Sequence, residues 1–236
     1  MRPRVLVTGP IAELARWSDA ARAQGWEPIV YPLLEVRYRI VHLALELERA
    51  PDWICVTSKH ALRFLEEHRA ELEAIPCAAV GAATARRLEA SGFEVRLIGP
   101  RAAQDMVELL MARDDAPRHV LWPRGSISDE LEQALRARDV EVCAPIVYET
   151  NERRDSGVLP RAEVVFFASP SAVRAYTRRV AIGEPMSPCA ISIGPATARS
   201  LASPDTTTFE RVIELGDPTP EDFGLCLVGL ELEGPS

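Results

Sequence analysis

Short apolar runs alternate with longer stretches of helical periodicity along the first half of the chain. The runs are RVLVT (4–8), EPIVY (27–31), WICVT (53–57), CAAVG (77–81) and EVRLI (94–98). The stretches between them, such as AELARWSDAARAQG and ALRFLEEHRAELEAI, space their apolar residues as an amphipathic helix does. This alternation is typical of strand, helix, strand units and predicts a parallel sheet.

The second half repeats the alternation. Its runs are HVLWP (119–123), VEVCAPIVY (140–148), EVVFFAS (163–169), CAISIG (189–194) and RVIEL (211–215). Four sequence blocks also recur in matching order: ICVTSKHALRFL with VVFFASPSAVRAY, AVGAATARRLEA with SIGPATARSLAS, RVLVTGP with HVLWPRG, and VYPLLEV with CAPIVYE. Duplication is the simplest explanation. We therefore expect an α/β fold of two similar open parallel-sheet domains with a ligand cleft between them.

Two charged, extended stretches, YPLLEVRYR and VYETNERRD, follow the second strand of each half. Both suit extended crossings between domains. If the crossings lie side by side, domain 1 is discontinuous and comprises 1–34 plus 152–236. Domain 2 is then 38–147, and 35–37 and 148–151 form a two-stranded connection.

Composition narrows the classes of partner. Of 236 residues, 47% are apolar and 26% charged, and there is no apolar run of the length that a membrane span needs. The start, MRPRVLVTGP, holds too short an apolar segment for a secretory signal, so a cytoplasmic location is expected. A net charge of −8 with dispersed arginines argues against nucleic acid, and we expect no membrane partner.

The cysteines and histidines predict neither a disulfide framework nor a metal site. The five cysteines (55, 77, 143, 189 and 226) are widely spaced, and the four histidines (42, 60, 68 and 119) form no HExxH or CxxH group. The patterns GxGxxG, GxxxxGK[ST] and GxSxG are also missing. We therefore expect no cofactor.

Small and hydroxyl-bearing residues follow corresponding strands of both halves. They are Thr57, Ser58, Ser169 and Ser171 after the third strand, and Gly81, Ala82, Ala83, Thr84, Gly194, Ala196 and Thr197 after the fourth. In a parallel sheet such turns point backbone amides outward, so they would bind an acidic small molecule. The alternative is that these residues only cap helices and shape turns.

Three further residues stand out. In WPRG, Arg124 and Gly125 end the first strand of the second half, where Arg124 would pair with a carboxylate or remain solvated. Tyr148 stands near the crossing, and its phenol can donate a proton, although a strand tyrosine is usually a packing residue. His60 lies where a helix begins, and we expect it to be a surface residue.

The motifs DWICVTSKHALRFL, AAVGAATARRLEASGFEV, HVLWPRGSISDELEQALRARDVEVCAPIVYET, VVFFASPSAVRAY and AISIGPATARSL together resemble the uroporphyrinogen-III synthase family. The resemblance spans nearly the whole chain. It implies two α/β domains joined by a two-stranded connection, no cofactor and no metal. It also implies the reaction, a lyase step of tetrapyrrole (haem) biosynthesis: hydroxymethylbilane, which carries eight carboxylates, loses water and closes with ring D inverted to give uroporphyrinogen III.

The resemblance further implies roles for individual residues. Tyr148 would be the proton donor, and Thr84 and Thr197 would contact the acidic tetrapyrrole substrate. A monomer is expected, with a possible transient contact to the preceding pathway enzyme. The chain departs from the family pattern at Gly9, which replaces an arginine, and at Lys59, which replaces a proline. The segment ASPDTTTFERV also lacks the usual glycine.

Two other functions compete with the enzyme. Two similar α/β domains around a cleft also describe non-catalytic binders or sensors of an acidic small molecule. A degenerate synthase-like regulatory domain is the second rival, and it draws support from the departures at Gly9 and Lys59. Turnover of the substrate, as opposed to binding, distinguishes the enzyme from both.

Overall fold

The computed structural model describes residues 2–43, 49–100, 103–153, 158–180, 189–207 and 209–230. Contacts between Cα atoms divide the chain into two compact units. Unit 1 comprises Met1–Val36 and Asn151–Ser236, and unit 2 comprises Arg37–Thr150. One unit is therefore inserted, as a continuous segment, into the sequence of the other.

Unit 1 is a parallel sheet with helices between its strands. The strands are β1 (Arg4–Pro10), β2 (Glu27–Tyr38), β10 (Val164–Phe167), β11 (Cys189–Ser192) and β12 (Arg211–Glu214), in the order β12-β11-β10-β1-β2. The helices are α1 (Ile11–Ala23), α7 (Pro170–Val180), α8 (Pro195–Leu201) and α9 (Pro220–Val228). The pairs β1 with β2, β1 with β10, β10 with β11 and β11 with β12 are all parallel.

Unit 2 is built in the same way. Its main strands are β3 (Trp53–Val56), β4 (Cys77–Val80), β5 (Val95–Gly99), β6 (His119–Leu121) and β8 (Glu141–Cys143), in the order β5-β4-β3-β6-β8. A further parallel pair is formed by β7 (Arg124–Gly125) and β9 (Ile146–Glu152). The helices are α2 (Leu62–Glu67), α3 (Arg69–Leu72), α4 (Ala82–Ala90), α5 (Ala103–Met111) and α6 (Glu130–Arg136), and α2 follows a 3₁₀ turn, Lys59–Ala61.

The strand orders of the two units correspond strand for strand when the repeated sequence blocks are aligned. Block by block, β10 corresponds to β3, β11 to β4, β12 to β5, β1 to β6 and β2 to β8. A shared order of five strands is what a duplication produces. The predicted α/β class, with two similar open parallel sheets, is confirmed.

Strand residues in both units are apolar on both faces because helices cover both sides of a parallel sheet. All four residues of β3 and of β10 are buried, as are Val5, Leu6 and Val7 of β1. In unit 1 the indole of Trp17 packs on Phe166 with ring centroids 4.5 Å apart, and Phe223 meets the edge of the same indole at 5.6 Å. Helices α1 and α9 thus pack together on one face of β10.

Two segments that were each predicted to form a single element form two elements in the structure. The run 140–148 forms two strands, β8 and β9, because Pro145 between them has no N–H to donate to a ladder. The stretch ALRFLEEHRAELEAI forms the short helices α2 and α3, separated by His68, whose φ of −113° and ψ of 28° are not helical. The His68 Nε2 lies 3.0 Å from the Val41 carbonyl oxygen.

The crossing stretches form β2 and β9. Within unit 1, the Arg153 N–H donates to the Leu33 carbonyl at 2.9 Å. Within unit 2, the Arg39 N–H donates to the Val147 carbonyl at 2.9 Å. In each unit, a backbone hydrogen bond thus links the two crossing stretches. Among the described residues, no helix is long and apolar enough to cross a membrane.

The aromatic contact between α1, β10 and α9 predicts a stability difference within one helix. Phe223 is fully buried whereas Leu225 is 68% exposed. Replacing Phe223 with alanine removes a packed ring and should lower the free energy of unfolding of unit 1 by about 3–5 kcal/mol. Leu225→Ala, the matched control, should change it by about 0.5 kcal/mol or less. Denaturant titration followed by tryptophan fluorescence measures both, and equal effects would contradict this account of the core.

Candidate active site

Unit 2 changes winding direction between β3 and β6. From β3 the chain proceeds through β4 to β5 on one side, and then places β6 and β8 on the other. Open parallel sheets bind ligands beyond the carboxyl ends of the strands at such a switch point. The carboxyl ends of β3 and β6 lead directly into Thr57 and Trp122.

A pocket of about 120 Å³ lies at this switch point. Four of the residues that line it were predicted from sequence: Thr57, Arg124, Gly125 and Tyr148. Sequence analysis missed the other lining residues, which are Trp122, Ser126, Ile127, Ser128 and Thr150. The polar stretch SIS directly after WPRG was the only sequence signal for three of them.

The ring of Tyr148 lies against the backbone of Gly125. These two residues are register partners in the pairing of β7 with β9. A Cβ atom placed on Gly125 would lie 2.7 Å from Cε2 and Cζ of Tyr148 and 2.9 Å from its Oη. Real side chains do not approach so closely, so this position excludes every residue but glycine while the ring stays where it is.

Three side chains of the same unit surround the Tyr148 phenol. The Ser58 hydroxyl hydrogen-bonds with the phenol. The His60 imidazole packs against the ring with centroids 5.3 Å apart and planes at 51°. The Tyr38 hydroxyl lies 3.3 Å from Nδ1 of His60. His60 is partly exposed, as expected of a surface residue, and its ring also contacts Tyr148.

The pKa of Tyr148 is raised above its ordinary value of 10.0, chiefly because burial disfavours the charged phenolate. The hydrogen bond with Ser58 opposes this by stabilising the phenolate, and the nearby Tyr38 adds to the increase. The net result is a phenol that keeps its proton well above neutral pH. Tyr148 can therefore serve as a proton or hydrogen-bond donor in the pocket.

Arg124 shapes the wall of the pocket. Its Nη1 donates to the carbonyl oxygens of Gly125 and Ser128, each at 3.2 Å, and its Nη2 lies 3.7 Å from Oε2 of Glu132. The guanidinium carbon also lies 5.5 Å from the centre of the Trp122 ring. Arg124 is thus largely engaged within the protein, and it holds the turn that carries the serines of the pocket.

Thr57 and Trp122 are joined directly. The Trp122 indole N–H donates to the Thr57 hydroxyl oxygen at 3.1 Å and connects the ends of β3 and β6. Thr57 also lines the pocket, and its hydroxyl retains the capacity to donate one hydrogen bond. Thr57 was predicted, but no sequence signal indicated its indole partner, which lies 65 positions away in the chain.

The turn 81–84 follows β4, the strand next to β3. Gly81 has φ of +77°, a left-handed conformation that favours glycine. Its carbonyl accepts from the N–H groups of Thr84 and Ala85, each at 3.2 Å, and Ala82 and Ala83 are exposed at the start of α4. The amides of these two alanines occupy the positive end of a nine-residue helix. This turn is not part of the pocket around Tyr148.

The predicted residues of unit 1 lie at the ends of the neighbouring strands β10 and β11. The Ser169 hydroxyl accepts from the Ala172 N–H at 3.2 Å and caps α7, and the Ser171 hydroxyl accepts from Arg174 at 2.9 Å. The carbonyl of Gly194 accepts from the Thr197 N–H at 3.0 Å. Ala196 is exposed, whereas Thr197 is only 2% exposed. Local capping and packing thus occupy several of these groups.

The described parts of the chain contain no candidate metal site. Among those residues, no three His, Cys, Asp or Glu side chains are grouped as metal ligands. The described cysteines are free thiols, and burial raises the pKa of Cys77 to about 12. Such a thiol stays protonated at neutral pH and is a poor nucleophile.

Comparison with known proteins identifies the family. A family model described as uroporphyrinogen-III synthase HemD matches residues 15–209. Uroporphyrinogen-III synthetase from Helicobacter pylori superposes with a TM-score of 0.68 at 21% identity, over 98% of this chain and 100% of that one. A mutant uroporphyrinogen III synthase from the extremely thermophilic bacterium Thermus thermophilus gives a TM-score of 0.64 at 17% identity, over 95% and 96%. No curated protein matches the sequence.

The duplicated winding and the pocket at a switch point define a two-unit parallel α/β protein with a candidate ligand pocket at the carboxyl edge of the unit 2 sheet. The family match covers most of the chain and shows which family within this class the chain belongs to. The chain belongs to the uroporphyrinogen-III synthase family, a family of cyclising lyases whose substrate is a tetrapyrrole.

The hydrogen bond between Ser58 and Tyr148 predicts the direction of a pKa change. Since this bond lowers the phenol pKa, Ser58→Ala should raise the pKa of Tyr148 further above 10.0. Ultraviolet titration of tyrosinate absorbance measures it, and the same titration of Tyr148→Phe shows which transition belongs to Tyr148. A lower pKa in Ser58→Ala would contradict the assignment.

The contact between Gly125 and Tyr148 predicts that a substitution at Gly125 changes the pKa of Tyr148 in the opposite direction. In Gly125→Ala the new methyl group should push the ring outward toward water, and because burial raises the Tyr148 pKa, the pKa should fall. Gly229→Ala is the control, since its Cβ would meet atoms no closer than 3.7 Å. The same tyrosinate titration serves, and an unshifted Tyr148 in Gly125→Ala would show that the ring does not rest on this glycine.

Proposed function

We propose that this chain converts hydroxymethylbilane to uroporphyrinogen III with Tyr148 as the proton donor to the departing hydroxyl group. Family membership supports the overall reaction. The observation that carries the role of Tyr148 is its phenol, which lines the switch-point pocket of unit 2, hydrogen-bonds with Ser58 and has a raised pKa. A non-catalytic binder would use the same phenol only as a hydrogen-bond donor, so turnover distinguishes the enzyme from it.

The first step breaks the bond between carbon and oxygen of the terminal hydroxymethyl group. The electron pair leaves with oxygen, which takes the Tyr148 proton and departs as water. The substrate is left as an azafulvenium cation opposite the phenolate. Attack at the substituted carbon of ring D forms a spiro intermediate, which fragments and recloses. The proton lost when the final pyrrole regains aromaticity restores the phenol, so one water is released overall.

A raised phenol pKa suits this step. Proton transfer to a departing hydroxide runs toward water, whose pKa is about 15.7, so a phenol somewhat above 10 is still the stronger acid. The same raised pKa keeps the phenol protonated in the resting enzyme. A carboxylic acid of ordinary pKa would be ionised at neutral pH and unable to donate.

The size of the pocket limits which part of the substrate enters it. Pockets that enclose an entire drug-sized ligand measure about 300–1,000 Å³. The pocket around Tyr148 measures about 120 Å³ and holds only one ring end of a linear tetrapyrrole. We assign to it the terminal ring that bears the hydroxymethyl group, which brings the leaving oxygen to the phenol.

The remaining predicted residues belong to the same proposal as contacts for the substrate carboxylates. They are Thr84 and Thr197 with the turns around them, and Ser169 and Ser171. Backbone amides at helix starts attract anions even in a protein of negative net charge. The predicted cleft and its closure around the substrate remain part of this proposal.

The chemistry of the substrate supports the cellular location and the partner that we propose for the enzyme. Hydroxymethylbilane closes without catalysis to the type I isomer, so a synthase must meet it soon after it is made. We place the chain in the cytoplasm as a monomer that receives its substrate by transient contact with the preceding pathway enzyme.

Removal of one oxygen atom tests the role of Tyr148. Hydroxymethylbilane is generated in situ with the protein present, and the oxidised products are separated into type I and type III isomers. The native chain should give mainly type III, and Tyr148→Phe should lower kcat by about 10²- to 10⁴-fold, the usual contribution of a positioned proton donor. Tyr176→Phe, which removes a phenol hydroxyl from unit 1, is the matched control.

The outcomes separate the candidate functions. Type I alone from folded native protein would refute the enzyme and favour the binder or the regulatory domain. Type III formation that is equally fast in Tyr148→Phe would retain the synthase and refute Tyr148 as its proton donor.

A further inference from the structure

We propose that His60 is a positioning residue that holds the phenol of Tyr148 in the orientation required for proton donation. The inference rests on the proposed function of Tyr148. It concerns a side chain next to Lys59, one of the positions at which this sequence departs from the family pattern. His60 acts through Tyr148 and has no role of its own toward the substrate.

The first support is the arrangement of contacts around the phenol. The ring of Tyr148 lies against Gly125, where no side chain can follow or restrain its movement. The His60 ring packs on Tyr148 at 5.3 Å and 51°, within the range of favourable offset or tilted aromatic pairs. Loss of the imidazole would remove this restraint from a half-buried ring.

The second support is that the imidazole is itself held. Nδ1 of His60 lies 3.3 Å from the Tyr38 hydroxyl, and the two rings are tilted by 57° with centroids 6.3 Å apart. The guanidinium of Arg63 lies 4.9 Å from the centre of the Tyr38 ring and is fixed by Glu67 at 2.8 Å. Tyr38, His60 and Tyr148 thus form a row of three rings that belongs entirely to unit 2.

The third support is a shared hydroxyl. Ser58 accepts a hydrogen bond from the His60 N–H at 3.3 Å and also bonds to the Tyr148 phenol. The 3₁₀ turn Lys59–Ala61 therefore connects to Tyr148 twice, once through the backbone and Ser58 and once through the imidazole. Two connections from one turn fix both the ring plane and the direction of the phenol oxygen.

The test is a double-mutant cycle between His60 and Tyr148, read as kcat and KM for the type III isomer. His60→Ala should lower kcat by about two- to tenfold, the rate equivalent of one aromatic pair, and leave KM unchanged. In the Tyr148→Phe background, where no proton can be donated, the same change should have no effect on kcat. His60→Phe keeps a flat ring and should recover most of the loss.

His68→Ala is the matched control. The His68 imidazole packs on Phe64 at 4.7 Å and 53°, a comparable ring pair outside the pocket. Its removal should leave kcat unchanged. Tyr38→Phe, which removes only the hydroxyl that holds Nδ1, should reduce kcat less than His60→Ala does, and it tests the row of rings even if His60→Ala fails to fold.

A second readout needs no turnover. His60→Ala should shift the tyrosinate titration of Tyr148, identified by comparison with Tyr148→Phe, because the phenol then changes its exposure. If the native chain makes no type III isomer, the proposed function fails, and this titration alone decides whether His60 positions Tyr148. An unchanged titration, or the same loss of kcat with and without the Tyr148 hydroxyl, would overturn the inference.

Discussion

The site depends on the absence of a side chain at position 125. The Tyr148 ring occupies the space that any Cβ at Gly125 would fill, so the path of β7 and the orientation of the phenol are fixed together. The other groups of the pocket are arranged around this contact. Arg124 holds the turn after Gly125, Ser58 bonds to the phenol, and His60 packs on its ring. A larger residue at position 125 would leave the strand order intact and displace the Tyr148 ring.

The duplicated winding explains where the pocket lies. Both units have a switch point, between β1 and β10 in unit 1 and between β3 and β6 in unit 2, because their strand orders correspond. After the duplication, the residues at the two switch points diverged. In unit 2 the position carries Arg124 and Gly125, and in unit 1 it carries Gly9, whose φ of +144° disfavours a side chain and whose added Cβ would lie 3.3 Å from Cδ2 of Leu14.

Periodicity and repeats were enough to predict the fold class, because buried parallel strands produce apolar runs that are visible locally. They also placed Thr57, Arg124 and Gly125 at strand ends and Tyr148 near the domain crossing. Partnerships between distant segments were not predictable. The Trp122 indole on Thr57 and the His60 ring on Tyr148 arise from which strands become neighbours. Likewise, no local signal showed that Nη1 of Arg124 donates to two carbonyl oxygens within its own turn.

The insertion of unit 2 within unit 1 has a consequence for how the chain folds as it is made. Unit 2 is one continuous segment, so every partner of its sheet is available once Thr150 has been synthesised. Strand β1, by contrast, is central in its sheet, and its neighbour β10 begins only at Val164. On the ribosome, β1 with its apolar residues Val5, Leu6 and Val7 therefore keeps one edge unpaired until the whole of unit 2 has emerged. At about 5–20 residues per second this is a delay of many seconds, in which the nascent chain is open to chaperones or to wrong strand pairing.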